Sequence, residues 1–180
     1  MVLTVGSKIV YPGQGPCLIA RLVKKVIDGK PTRFYQLVVL DHGGGEVFLP
    51  LDRAQAIGLR RLLGKSEISR LLGQLKTPAS PSKLSSTATN WRQRTMNNSR
   101  LFSSGSAFDL AEIVESLTDL SERRGLSARD SWALERAKKL LVCEISEVMG
   151  EAKSAAEERV DKALNRCSTL SSATQNPLET

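Results

Sequence analysis

The 180-residue chain has room for one ordinary domain or two small ones, with 41% hydrophobic and 25% charged residues, as in water-soluble globular proteins. Aromatic residues make up only 4%, so any core must rest on Leu, Val, Ile and Ala. A net charge of +7 points to a nucleic acid, an anionic membrane or an acidic partner.

Cys17, Cys143 and Cys167 are odd in number and far apart, and His42 is the only histidine. That pattern argues against a zinc finger and a disulfide framework. Buried reduced thiols, with no metal or cofactor, are the expectation. No leader-like start or long apolar run occurs, which suggests a cytoplasmic location.

In chain order, Lys8-Ile9-Val10-Tyr11 reads as a strand running into the turn chemistry of Pro12-Gly13-Gln14-Gly15-Pro16. Cys17 to Ile27 is rich in Leu, Ile and Val and breaks at Asp28-Gly29, a hairpin signal. Phe34 to Leu40 forms the next strand. Asp41-His42-Gly43-Gly44-Gly45 turns the chain, and Glu46 to Leu49 closes at Pro50. The glycine run has the composition of an anion nest, but a hairpin explains it better because no helix follows. Together these strands predict a small, strongly bent sheet or partial barrel.

From residue 51 the period changes. Ala54, Ile57, Leu59, Leu62 and Leu63 suggest a short helix or turn. Ser66 then reads as the N-cap of a helix over Glu67–Lys76, with Ile68, Leu71, Leu72 and Leu75 on one stripe. Pro, Ser, Thr and Ala dominate the following segment, which reads as a linker.

The remainder is helical. Thr89 or Asn90 caps a helix from Trp91 to about Ser103. A second helix spans Ala107–Arg124 with Leu110, Ile113, Val114, Leu117 and Leu120 on one face, and Gly125 suits its C-cap. Ser127 with Asp130 resembles a shortened capping box opening a third helix that runs to Met149. Leu134, Ala137, Leu141, Ile145 and Val148 are its expected core stripe, Trp132 is expected at or near the core, and Glu135 is expected to pair with Lys138 and Lys139. A fourth helix spans Glu151 to about Asn165. The fold class is α+β: a β-rich module at 1–76, a linker at 77–88, a helical module at 89–166 and a disordered tail at 167–180.

The chain lacks a P-loop, GxGxxG, HExxH and GxSxG, so an enzyme would need invisible chemistry. What stands out is charge placement. Residues 1–76 carry twelve basic and five acidic side chains, residues 77–106 carry four and none, and residues 107–166 carry ten and thirteen. In the acid-free stretch, Thr89-Asn90-Trp91-Arg92-Gln93-Arg94 sets one large ring beside arginines that neutralise phosphates. A ring shown beside such a patch can push against bases whose stacking is already broken. Alternatively, Trp91 is the buried anchor of its helix.

Val5-Gly6, Val10-Tyr11-Pro12, Gly15, Pro50 and Ile57-Gly58-Leu59-Arg60 resemble the opening of the CarD family of bacterial transcription factors. Thr89-Asn90-Trp91, Arg94, Arg124-Gly125-Leu126-Ser127 and Ala137 through Leu141 follow that family's helical domain in order and spacing. The resemblance covers about residues 4–149. It implies a Tudor-like N-terminal domain that binds the β subunit of bacterial RNA polymerase and a helical domain that meets promoter DNA. It also implies that Trp91 wedges into the minor groove at the upstream edge of the melted bubble and stabilises the open complex. Arg94 matches a position facing the DNA backbone, with Arg92, Asn90 and Thr89 beside it. Some members carry further basic residues at the positions of Gln93 and Met96. Their absence should lower DNA affinity and flatten its salt dependence, with Arg92 as a compensating cation.

Lys25 and Phe48 match the family's polymerase-binding positions, where some members carry arginine. A solvated Lys25 and a core Phe48 are the alternatives. The reading is therefore a monomeric, non-enzymatic transcription regulator that contacts DNA without reading its sequence. Its rival is a protein–protein adaptor with Trp91 in its core and no DNA contact.

Overall fold

The computed structural model describes residues 3–41, 43–54, 56–76 and 91–172, with side chains through Asn165. The linker 77–88, Thr89, Asn90 and His42 lie outside the described residues.

Strands β1 (Lys8–Tyr11), β2 (Gly15–Ile27), β3 (Lys30–Val39), β4 (Glu46–Pro50) and β5 (Arg60–Arg61) form one antiparallel sheet in the order β4-β3-β2-β1-β5. The β2–β3 hairpin turns at Asp28-Gly29, where both residues take positive φ, 50° and 75°, as a two-residue hairpin turn requires. A register shift between Ile19 and Arg21 bends the long β2 strand. The inner face buries Ile9, Cys17, Ile19, Leu37 and Leu49, with Ala54 beneath them. Burial pushes the Cys17 thiol up to about 11.

Residues 51–54 and 56–58 form a short 3-10 helix and turns, in keeping with the short helix or turn expected there. A three-residue 3-10 turn, Leu51–Arg53, follows Pro50, and Ile57 and Leu59 pack on the sheet core. The chain then returns so that Arg60 and Arg61 pair with Val10 and Ile9. That pairing satisfies the backbone of the β1 edge.

Five helices follow among the described residues: α1 (Lys65–Leu75), α2 (Trp91–Ser104), α3 (Ala107–Arg124), α4 (Ala128–Met149) and α5 (Lys153–Ser172). Two details of α1 correct the sequence reading. The helix starts before Ser66, and the Glu67 carboxylate accepts from the Gly64 N–H at 2.7 Å. Its apolar stripe, Ile68, Leu71 and Leu75, joins the helical core rather than the sheet core, so the cores divide before α1 and not at residue 76. The stripe on α3 is buried at every expected position. Ser127 caps α4 by accepting from the Asp130 N–H, and α5 continues to Ser172, past its expected end.

Lys138 and Lys139 look away from Glu135. Lys138 reaches Glu157 and Asp161 on α5, and Lys139 reaches Asp41 below the sheet at 2.7 Å. Inter-element partners win because they tie packed elements together, whereas a local pair on a helix surface contributes only about 0.3–0.5 kcal/mol.

The two modules meet along a built seam. Glu144 of α4, 2% exposed, accepts from Arg60 Nη1 at 2.6 Å, from Nη2 at 2.7 Å and from the Leu63 N–H at 3.0 Å. Arg60 Nε donates to the Gly105 carbonyl at 2.6 Å. Lys8 pairs with Glu147, and Arg136 donates to the Gly13 carbonyl, each at 2.6 Å. Gly105 has φ +70° and stands against Pro12 so closely that a Cβ there would lie 2.9 Å from its ring. The sheet and the bundle are therefore fixed to each other directly.

Candidate functional site

The N-terminal turns of α2 and α4 converge, and one ion pair locks them together. Arg94, one turn into α2, donates from Nε to Asp130 Oδ1 at 3.0 Å and from Nη2 to Oδ2 at 2.8 Å. Asp130 also accepts from the Ser127 hydroxyl at 2.7 Å. Both side chains are more than nine-tenths buried. The Arg94 guanidinium, with help from Ser127, holds the Asp130 carboxyl below the usual carboxylate range against the opposing effect of burial.

This geometry corrects the expectation for Arg94. Its guanidinium is spent on a buried carboxylate and is not presented to a phosphate. What the pair does instead is fix the helix start that carries Trp91. That ring is 57% exposed, so the buried-anchor alternative is excluded. The guanidinium carbons of Arg92 and Arg129 lie 5.5 and 6.0 Å from the ring centroid, within cation–π range. Two helix N-termini at the same place add positive partial charge. The result is a large apolar ring held in water between two cations. That arrangement suits a stacked, negatively charged partner.

Arg129 escaped the sequence reading. A signal existed: an arginine in the first turn of a helix opposes the helix dipole, so a role outside the helix is the natural reason for it. Trp132 also departs from expectation. It is 62% exposed and tilts against Phe102, with ring centroids 6.3 Å apart. The α4 stripe runs through Ala133, Ala137, Leu140, Leu141 and Ile145, and Trp132 sits just off its edge.

A second surface lies on the sheet. Lys25 Nζ stands 3.2 Å above the centroid of the Phe48 ring, so the two positions singled out from sequence meet. Phe48 is 38% exposed while its neighbour Leu49 is buried, which settles the alternation in favour of the surface. Leu22 and Val26 are also exposed on β2. On the face of Phe48, opposite that of Leu22 and Val26, Arg21 Nε donates to Gln36 Oε1 at 2.5 Å and Gln36 Nε2 to Glu46 Oε1 at 2.8 Å, a polar chain across three strands. β4, which carries Phe48, is the terminal strand of the sheet.

A bent antiparallel sheet with an exposed aromatic–cation pair, joined to a helical bundle presenting a tryptophan between arginines, defines a two-surface binding protein. Residues 3–63 match the CarD-like/TRCF RID domain, and residues 78–161 match the CarD C-terminal domain. Together these matches span most of the chain, and the protein belongs to the CarD family. It is an RNA-polymerase-interacting transcription factor. No helix among the described residues is long and apolar enough to cross a membrane.

Proposed function

We propose that this protein binds the β subunit of bacterial RNA polymerase through its sheet module and holds Trp91 in the minor groove at the upstream edge of the melted bubble. Bound there, it stabilises the open promoter complex. The observation that carries this reading is the exposed Trp91 ring between Arg92 and Arg129, seated by the buried Arg94–Asp130 pair.

The physical argument is one of differential binding. An indole gains contact with bases whose stacking is already interrupted, and it gains less from intact duplex, where unstacking costs a few kcal/mol per step. Only such a difference shifts the closed–open equilibrium. Arg92 and Arg129 neutralise backbone charge without reading sequence. Docking on polymerase through Lys25 and Phe48 raises the local concentration of the ring at the bubble edge, so weak intrinsic DNA affinity suffices. The seam adds precision, because the distance from the Phe48 surface to Trp91 is set by packed structure. The protein acts as a monomer in the bacterial cytoplasm, without cofactor or catalysis.

Trp91→Ala tests the reading. It is expected to leave polymerase binding intact and to shorten open-complex lifetime roughly tenfold, in line with base–aromatic stacking of about 1–3 kcal/mol. A folded variant with an unaltered lifetime rejects the wedge.

A further inference from the structure

A cleft of about 750 Å³ opens between α2 and α4, next to the Trp91 face but separate from that ring. Phe102 and Trp132 form its aromatic walls. Asn98 lines it and is only 7% exposed, yet its side-chain amide makes no hydrogen bond among the described residues. An amide has two donors and an acceptor, and these open onto the cleft, where a bound group with a matching edge can take them over from water. Arg129 and Arg136 also line it, Arg136 with Nη2 on the Gly13 carbonyl. The one carboxylate in the lining, Asp130, is already neutralised by Arg94.

These features ask for a particular chemistry. A flat ring can stack on the exposed Trp132 beside Phe102, and polar atoms on the ring's edge can pair with Asn98. A phosphate attached to the ring satisfies the arginines. An aliphatic side chain would offer the amide no polar partner, and a simple anion would leave the Trp132 ring in water. Asparagine is moreover suited to the donor–acceptor edge of a purine. Arg129 belongs to both places, lining the cleft and standing 6.0 Å from the Trp91 ring.

We propose that the cleft is a nucleobase site that receives one unpaired base from the DNA strand beside Trp91. It rests on the reading of Trp91 as a DNA-contacting wedge and deepens it. A base at the edge of a bubble is the easiest to take out, since its pairing is already lost. Trp91 holds the junction open, and Phe102, Trp132 and Asn98 hold the released base, which slows re-pairing.

The test uses the full-length protein and two DNA probes of the same sequence. One is a complete duplex; the other is a fork with an unpaired 2-aminopurine at the junction. Trp132→Ala, at an exposed position, keeps the fold. Asn98→Leu replaces the amide with an apolar group of similar size. Each variant is expected to weaken fork binding roughly tenfold, to abolish stacking-induced quenching of 2-aminopurine, and to leave duplex binding as it was. Equal loss on both probes, or no loss on either, overturns the nucleobase site. So does displacement of the fork signal by free deoxyadenosine monophosphate at equal concentration, which would make the cleft a mononucleotide site. Lost polymerase binding by Trp132→Ala with unaltered fork binding reassigns the cleft to a protein contact and likewise overturns the proposal. Trp91→Ala in the same assay separates the two readings. If it has no effect while Trp132→Ala weakens the fork, the wedge fails and the cleft stands; the reverse result removes the cleft alone.

Discussion

Two arginine–carboxylate pairs occupy different regions of the molecule and do different work. At the seam, Arg60 and Glu144 join residues from the sheet module and the bundle. At the α2–α4 junction, Arg94 and Asp130 join two helix starts within the bundle. Both are bidentate and both bury the carboxylate. The seam pair gains backbone partners on each side, the Leu63 N–H for Glu144 and the Gly105 carbonyl for Arg60. The junction pair gains a capping hydroxyl from Ser127. The first therefore fixes how the modules stand to each other, and the second fixes where Trp91 is presented. A buried pair of this kind adds little net stability over an apolar replacement, but breaking one half leaves an uncompensated charge. The contrast implies that the same chemistry serves geometry in both places, and that the two geometries can be broken separately.

Glu144→Ala should have the largest effect. It strips Arg60 and the Leu63 N–H of their buried acceptor, with an expected loss of about 3–5 kcal/mol. Urea unfolding followed by circular dichroism measures it. Loss of cooperativity, seen as two transitions, would show that the seam is what makes the modules unfold together.

Asp130→Asn comes next, at about 1–3 kcal/mol, because the amide keeps the shape but not the charge. The native pair also sets a pH dependence. Asp130 has a lower pKa folded than unfolded, so its contribution is present above the unfolded carboxylate value of about 4 and is lost as pH falls through the folded value. The wild-type protein should therefore lose stability below about pH 4 more steeply than Asp130→Asn. Parallel acid profiles for the two proteins would mean that the pair contributes nothing.

How much of this was legible beforehand follows from the physics of each feature. The hairpin at Asp28-Gly29 and the helices over 107–124 and 128–149 rest on local rules, turn dihedrals, caps and periodicity, and the structure follows them. The placement of α1 rests on which of two cores its stripe meets, and a stripe does not name its partner. Arg94 misled for the same reason. Arginine in an acid-free stretch reads as free cation, yet its acid lies 36 positions further along the chain. The seam was equally invisible, since Arg60 and Glu144 are 84 positions apart. Trp91 was singled out by the acid-free, arginine-rich stretch around it, whereas Lys25 and Phe48 came from family resemblance alone. Arg129 carried a signal in its place in the first turn of a helix, but that it stands beside Trp91 needed three dimensions.

The smallest expected effect is the sharpest test of what replaced Arg94. If Arg129, and not Arg94, supplies the cation beside Trp91, then Arg129→Ala should leave unfolding within about 0.5 kcal/mol of wild type, as for an exposed side chain without an ion pair among the described residues. Its effect belongs in binding: one lost phosphate contact lowers the slope of log affinity against log salt by about 0.9. Arg94→Ala should do the opposite, costing stability first and affinity only through misplacement of the ring. Measuring both slopes alongside both unfolding curves separates a cation that touches DNA from one that holds the scaffold. An Arg94→Ala protein of normal stability with a reduced slope would restore the role that the buried geometry removes.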